Sequence, residues 1–232
     1  MNKLAVFVEG YTESIFVEAL IAHIAGENNI RIEQRRIRGG SSVRRTFNVV
    51  KAAKADTGQN YYVLIVDCGG DSLVKDRIRE EHENLTRNNY QKIIGLRDVR
   101  PQFSHADIPK LEAGLLKYIK TSLIPVQFIL SVMEIEAWFL AEFNHYPKID
   151  PSITLSLIKS NLGFDPQHDD MALRLKPTDD LNACYQLGGK TYEKSKADAT
   201  VAALDIPFLY LELPQKIKHL EKLVESIDAF LV

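Results

Sequence analysis

The chain has 232 residues, of which 45% are hydrophobic and 26% charged, with 12 Gly, 9 Pro and 2 Cys. That composition excludes a disordered, collagen-like or disulfide-rich chain, and it supplies enough apolar material for one large domain or a core with an appendage. Lys and Arg number 29 against 31 Asp and Glu, a net charge of −2, so no global basic excess announces nucleic acid and any such role rests on local features.

Leu4-Ala5-Val6-Phe7-Val8 is a continuous β-prone run suited to a strand buried on both faces. It runs straight into Glu9, without the long apolar stretch and cleavage site of a secretory signal. Thr12 offers an N-cap, and Phe16, Leu20 and Ile24 share a helical face before Gly26. Ile30 to Ile37 reads as a second strand interrupted by arginines, and residues 43–55 as a second helix. Tyr61 to Val66 is the clearest strand, followed by a Gly-Gly turn and a charged helix through about Asn84. Lys92 to Leu96 and Val126 to Val132 are further strands, and Glu134 to Phe143 a helix with Ala137, Leu140 and Ala141 inward. Strands alternating with helices predict an α/β fold with a mostly parallel sheet.

After Pro147 the pattern turns helical. Ile153 to Leu162 and residues 194–204 read as helices, separated by a polar, Pro-punctuated stretch through Pro177. Pro214 is expected to open a final helix with Ile217, Leu220, Leu223, Val224, Ile227, Phe230 and Leu231 on one face. The expected division is an α/β core over 1–145 and a helical C-terminal region over 146–232 that packs back onto it. No apolar run reaches the ~18–20 residues of a membrane helix. Cys68 and Cys184 lack zinc or CxxC spacing, which fits buried thiols in a reducing cytoplasm.

Acidic residues recur where strands end. Glu9 follows the first strand, Asp67 the strongest, Asp98 the 92–96 strand, and Glu134 and Glu136 the 126–132 strand. In an open α/β sheet, ligands gather outside the carboxyl ends of the strands. Carboxylates that converge there repel unless they share a proton or a divalent metal, and Mg²⁺ or Mn²⁺ suits an all-oxygen donor set. Acids at strand-to-helix junctions also serve simply as helix N-caps favoured by the macrodipole.

Glu9-Gly10-Tyr11-Thr12-Glu13 after a buried first strand resembles the opening motif of TOPRIM domains, the metal-dependent phosphoryl-transfer domains of topoisomerases, primases and OLD-type nucleases. The second TOPRIM element is Asp-x-Asp; here Asp67-Cys68-Gly69-Gly70-Asp71 supplies the first Asp, Gly69 stands where the second is expected, and Asp71 lies two residues on. Glu134-Ile135-Glu136-Ala137-Trp138 is similar to an element of the TOPRIM-like DUF4276 family, itself similar to RloB-like proteins. Lys176-Pro177 and Tyr192-Glu193-Lys194 are similar to that family's Lys-Pro and Tyr-x-Lys elements. The order agrees from residue 4 to about 205. The resemblance implies a TOPRIM-like, Rossmann-like core, divalent metal binding and a role in prokaryotic defence against phage or mobile DNA.

On that reading, Glu9 and Asp67 are metal ligands for Mg²⁺ or Mn²⁺, with Asp71, Glu134 and Glu136 as additions. Glu134 and Glu136 share a face only if the chain between them is still extended. Glu13, one helical turn beyond Glu9, is a candidate catalytic group or an ordinary first-turn acid. Lys194 is singled out by the resemblance alone as the cation that stabilises charge on a phosphate; otherwise it is a solvated lysine beside Lys190 and Lys196. Trp138 and Phe139 read as core anchors. Arg35, Arg36, Arg38, Arg44 and Arg45, around Gly39-Gly40-Ser41-Ser42, read as phosphate contacts for DNA or RNA, or as charges guarding an edge strand. The glycine run lacks the Gly-Lys-Ser/Thr of a Walker A motif. The histidines have no zinc spacing, and Ser14, Ser72 and Cys68 have no readable base.

The leading expectation is a cytoplasmic, divalent-metal-dependent phosphodiesterase or nuclease, with DNA or RNA as partner and an oligomer compatible with the sequence. One alternative is a non-catalytic TOPRIM-like subunit of a defence system that binds nucleic acid or a partner such as a neighbouring ATPase. A second is a receiver-like signalling domain phosphorylated on Asp67, although receivers carry an acidic pair where this chain has Glu9-Gly10.

Overall fold

The computed structural model describes residues 1–26, 30–39, 43–53, 58, 60–70 and 73–231. The first half contains β1 (Asn2–Val8), α1 (Tyr11–Ala25), β2 (Ile30–Arg38), β3 (Thr46–Lys51), β4 (Tyr61–Asp67), α2 (Val74–Arg87), β5 (Lys92–Asp98), α3 (Ile108–Leu116) and β6 (Val126–Ser131). The second contains α4 (Glu136–Ala141), α5 (Tyr146–Ile149), α6 (Leu155–Leu162), α7 (Pro177–Gln186), α8 (Asp198–Ala203), α9 (Ile206–Leu211) and α10 (Lys218–Leu231). None of the described helices is long and apolar enough to cross a membrane.

The strands form one six-stranded sheet in the order β3-β2-β4-β1-β5-β6. Every neighbouring pair is parallel except β2 and β3. The unbroken apolar runs of β1 and β4 explain their central places, since a strand covered on both faces needs side chains that tolerate burial on both. Leu4, Val6 and Val8 face one layer with Val63 and Ile65, and Ala5 and Phe7 face the other with Leu64 and Val66. Helix α1 covers the first face through Phe16, Val17, Leu20 and Ile21, and α2 covers the second through Val74, Ile78 and Leu85. Adjacent strands β1 and β4 thus send their helices to opposite faces, which opens a crevice at their carboxyl ends. Residues of the C-terminal region, among them Tyr185, Leu209, Leu220 and Phe230, share the α1-side core with β1, β4 and Trp138.

Several elements differ from the sequence expectation. Of the span 43–55, the described residues 43–53 form no helix: Thr46–Lys51 is strand β3, antiparallel to β2 with Arg36 opposite Asn48. Val43, Phe47 and Val50 mimic helical spacing, but all three are exposed, and the β-prone side chains pair at the sheet edge instead. The start of α1 is capped by Gly10 rather than Thr12, with the Glu13 carboxylate accepting the Gly10 N–H at 3.0 Å. The helix expected over Glu134 to Phe143 is confined to Glu136–Ala141, and that over Ile153 to Leu162 begins at Leu155, where the Thr154 hydroxyl accepts the Leu157 N–H. The span 194–204 divides into a 3₁₀ turn, Lys194–Lys196, and helix α8. Pro214 sits in a 3₁₀ turn, Leu213–Gln215, and α10 begins only at Lys218. Helices α3, α5, α7 and α9 were not expected; each has ten residues or fewer.

Gly95 in β5 has no room for a side chain: an added Cβ would lie 2.7 Å from Ile78 and 2.8 Å from Phe128. Gly95→Ala is therefore expected to lower stability by about 1–3 kcal/mol through overpacking. A shift of the urea midpoint with an unchanged slope would register it; an unchanged midpoint would show that α2 and β6 yield at no cost.

Candidate active site at the carboxyl edge of the sheet

The parallel register brings the last residues of β1, β4, β5 and β6 to one edge. Glu9 follows Val8, Asp67 and Asp98 end β4 and β5, and Ser131 ends β6 opposite Asp98. The loops after β1 and β4 are tied by Cys68 N–H to the Val8 carbonyl at 2.9 Å and Gly70 N–H to the Glu9 carbonyl at 3.0 Å. Beyond β6 the chain turns through Met133, a non-glycine residue in the left-handed region at φ 62°. That turn presents the Ile135 N–H to Asp98 Oδ1 at 3.0 Å, while the Ser131 hydroxyl donates to the same oxygen.

Lys194 lies at the centre of the acids. Its ammonium is 3.1 Å from Glu136 Oε2, 3.4 Å from Asp98 Oδ2 and 3.8 Å from Glu134 Oε1. Glu136 is fully buried, and its other oxygen accepts the Tyr192 hydroxyl at 2.7 Å. Tyr192 and Lys194, two residues apart, therefore hold the two oxygens of one carboxylate. Glu134, just before α4, accepts the Thr178 N–H in the first turn of α7 at 3.0 Å and lies 3.7 Å from Arg100. Pro177 is the opening residue of that helix, so the Lys176-Pro177 element delivers the N–H that holds Glu134. The Thr12 hydroxyl donates to the Lys194 carbonyl at 3.0 Å, joining α1 to the lysine backbone. A cleft of about 240 Å³ opens over this cluster, lined among others by Glu9, Thr12, Glu13, Asp98 and Lys194.

The charges do not balance, since Glu13, Asp98, Glu134 and Glu136 all act on the one ammonium. Burial, reinforced by repulsion from Glu136, pushes the Glu13 carboxyl up to about 7 against the pull of Lys194. Burial and the neighbouring Glu13 raise Asp98 well above the usual aspartate value. For Lys194, burial works against the charge, but Glu136, Asp98, Glu13 and Glu134 together outweigh it and hold the ammonium above the ordinary lysine value. Burial and mutual repulsion thus favour the protonated forms of Glu13 and Asp98, against the pull of the lysine.

The other expected ligands face arginines. Asp67 Oδ2 accepts Arg36 Nε at 2.5 Å and Oδ1 accepts the Gly69 N–H at 2.9 Å; Glu9 Oε1 lies 3.8 Å from Arg97 Nε, both groups buried. Gly69 has a left-handed φ of 76°, and a Cβ there would sit 3.0 Å from the Ile37 carbonyl oxygen, so the backbone itself disfavours the second Asp of an Asp-x-Asp. Asp71 lies outside the described residues, as do Gly40, Ser41 and Ser42. Among the described residues no group of three or more His, Cys, Asp or Glu side chains is placed to hold a metal ion. The donor set has the right hard-oxygen chemistry for Mg²⁺ or Mn²⁺, but as arranged the residues do not fit one, because side-chain cations stand where it would.

The arginines divide. Arg36 and Arg38 line a neighbouring cleft and Arg45 pairs with Glu80 on α2. Arg35 points to the opposite face of β2, where it pairs with Glu33 at 2.5 Å, and Arg44 is exposed. Trp138 and Phe139 are buried and pack on Phe16, as core anchors do. Asp98, read from the sequence only as a strand-end acid, and Arg97 and Ser131, not read at all, belong to the site. The strand-end position was the available signal for Asp98; Arg97 and Ser131 had none. No family model matches the chain, and no curated protein matches it.

Because Glu13 binds its proton more tightly folded than unfolded, its contribution to stability is greatest below about 4.5 and is lost as pH rises through about 7. Wild type is expected to lose about 1–3 kcal/mol more than Glu13→Gln between pH 5 and pH 8. Parallel urea titrations at the two pH values would reveal this, and equal losses would place the Glu13 proton elsewhere.

Proposed function

We propose that the chain cleaves phosphodiester bonds of DNA or RNA at this cleft, as a TOPRIM-like protein whose core spans 1–145 and whose region 146–232 completes the site by delivering Lys194. The observation that carries the reading is the set of carboxylates from β5, α1, the β6–α4 turn and the first residue of α4 around that one ammonium, at the carboxyl edge of a mostly parallel sheet. Lys194 is the group suited to stabilise charge that develops on a phosphate. In hydrolysis a water oxygen bonds to phosphorus as the P–O bond to the leaving oxygen breaks; Glu13, poised near 7, can give the leaving oxygen its proton at neutral pH, and the proton lost by the water passes to solvent. Tyr192 and Thr12 position Lys194 and its partner carboxylate. Mg²⁺ or Mn²⁺ is expected from the oxygen donor set and the resemblance, the cytoplasmic setting from the cysteine usage, and the defence role and its ATPase partner from the resemblance, and none of these side-chain roles depends on them. The receiver-like alternative fits less well, because Asp67 is buried and held on both oxygens. One observation favours the non-catalytic alternative: the lack, among the described residues, of a three-donor metal group.

The reading is tested by incubating wild type, Glu13→Gln and Lys194→Met with end-labelled DNA and RNA, with Mg²⁺ or Mn²⁺ and with EDTA. Each substitution is expected to lower the cleavage rate by about 100-fold or more. Wild-type cleavage should fall as pH rises above about 7, as the Glu13 proton is lost. Cleavage that survives both changes would sink the site; cleavage by no variant, with strand binding intact, would leave the binding-subunit reading.

A calorimetric Mn²⁺ titration addresses the cation separately. If Lys194 holds the place of a metal, Lys194→Met should bind Mn²⁺ at least about tenfold more tightly than wild type, since one competing charge is gone. Equal affinities would show that ammonium and metal do not share the carboxylates.

A further inference from the structure

Next to the acidic cleft lies a second one, of about 420 Å³, lined among others by Arg36, Arg38, Gly39, Asp67, Leu73 and Arg77. Among the described residues its charged side chains are three guanidinium groups against one carboxylate. Arg77, which no sequence motif singled out, is only 3% exposed. Its Nη2 donates to the Gly39 carbonyl at 3.2 Å and its Nη1 to Glu80 at 3.2 Å, while its Nε has no hydrogen-bond partner among the described residues. A buried charged donor left unmade is costly, so its persistence beside a cleft points to a ligand. Leu73 stands at the N-cap of the 14-residue α2 without a side-chain cap, so the positive end of the helix macrodipole adds to the same place. Arg36 reaches the cleft from β2 already paired with Asp67.

We propose that this cleft binds a phosphate group, with Arg77 and Arg38 donating to its oxygens and Arg36 shared between the phosphate and Asp67. The inference deepens the proposed function and rests on it for the identity of the strand that carries the phosphate. A consequence follows from the sharing: a phosphate that draws on Arg36 weakens its hold on the Asp67 carboxylate, the strand-end acid of β4.

The test uses the full chain carrying Glu13→Gln in the acidic cleft, so that binding is read without cleavage, and follows fluorescence anisotropy of labelled dT12 with a 5′-phosphate or a 5′-hydroxyl, with inorganic phosphate as competitor. Arg77→Gln is expected to weaken binding at least about tenfold, Arg77→Lys to fall between, since it keeps the charge but loses the fork, and Asp67→Asn to tighten it several-fold. Arg87→Gln, the same charge change at the far end of α2, should leave it unchanged. Preference for the phosphorylated oligonucleotide would assign the cleft to a terminal phosphate, equal affinity to an internal phosphodiester, and binding of inorganic phosphate without either oligonucleotide to the free anion. Arg77→Gln binding as wild type, or Arg87→Gln losing as much, would overturn the proposal. If Arg77→Gln fails to melt cooperatively, the exposed Arg38→Gln takes its place, with the same loss expected and wild-type binding equally fatal. Retained binding with no cleavage would count against the proposed reaction alone, whereas cleavage with binding insensitive to Arg77 and Arg38 would count against this cleft alone.

Discussion

Carboxylates taken out of water together repel one another, and each one buried loses solvation that only a proton, a cation or hydrogen-bond donors can replace. The carboxyl edge of this sheet solves that problem with one ammonium. Lys194 reaches Glu136, Asp98 and Glu134 at once, and it comes from a 3₁₀ turn nearly a hundred residues after the strand that carries Asp98. Much of the C-terminal architecture serves that approach. Tyr192 fixes the far oxygen of Glu136, the first turn of α7 holds Glu134, and the first turn of α1 holds the Lys194 backbone. Removal of the lysine would leave a buried acidic cluster rather than an empty pocket, which is why its electrostatic and structural roles cannot be separated by truncation alone.

The same economy of charge extends along the edge. Asp67 answers to Arg36 and Glu9 faces Arg97, so these two strand-end carboxylates each face a cation of their own, while Asp98 shares Lys194 with Glu134 and Glu136. Two clefts of opposite character result: an acidic one over Glu13, Asp98 and Lys194, and a basic one over Arg36, Arg38 and Arg77. Arg36 and Asp67 form the seam between them. A polyanionic strand laid across this edge would meet guanidinium groups first and the proton-bearing acids next, an order that suits both recognition of phosphate and chemistry on it.

The alternation of apolar runs with helical patterns, and the acids after each parallel strand, were legible because burial on both faces and the strand period leave direct marks on composition. Glu9, Asp67, Asp98, Glu134 and Glu136 could be placed at one edge for that reason. The hairpin of β2 and β3 was not legible, since Val43, Phe47 and Val50 fall at helical spacing, while β3 is exposed along its whole length and so carries no alternation of buried and exposed side chains. Nor was the split of the arginines between two faces of β2, which depends on that strand's lying inside the sheet, paired with β4 on one side and β3 on the other.

By itself, then, the sequence determined an α/β chain with a parallel sheet, an acidic carboxyl edge and a helical second half, because those properties are written in local periodicity and in residues adjacent along the chain. Tertiary structure decided which acids meet. Glu13, Asp98, Glu134 and Glu136 gather around Lys194, whereas Asp67 turns to Arg36, and the Gly69 backbone leaves no easy place for a second aspartate beside it. It also buried Arg77 at the start of α2. Such pairings join side chains tens of residues apart, and their geometry is set by sheet order and loop contacts that no local pattern encodes.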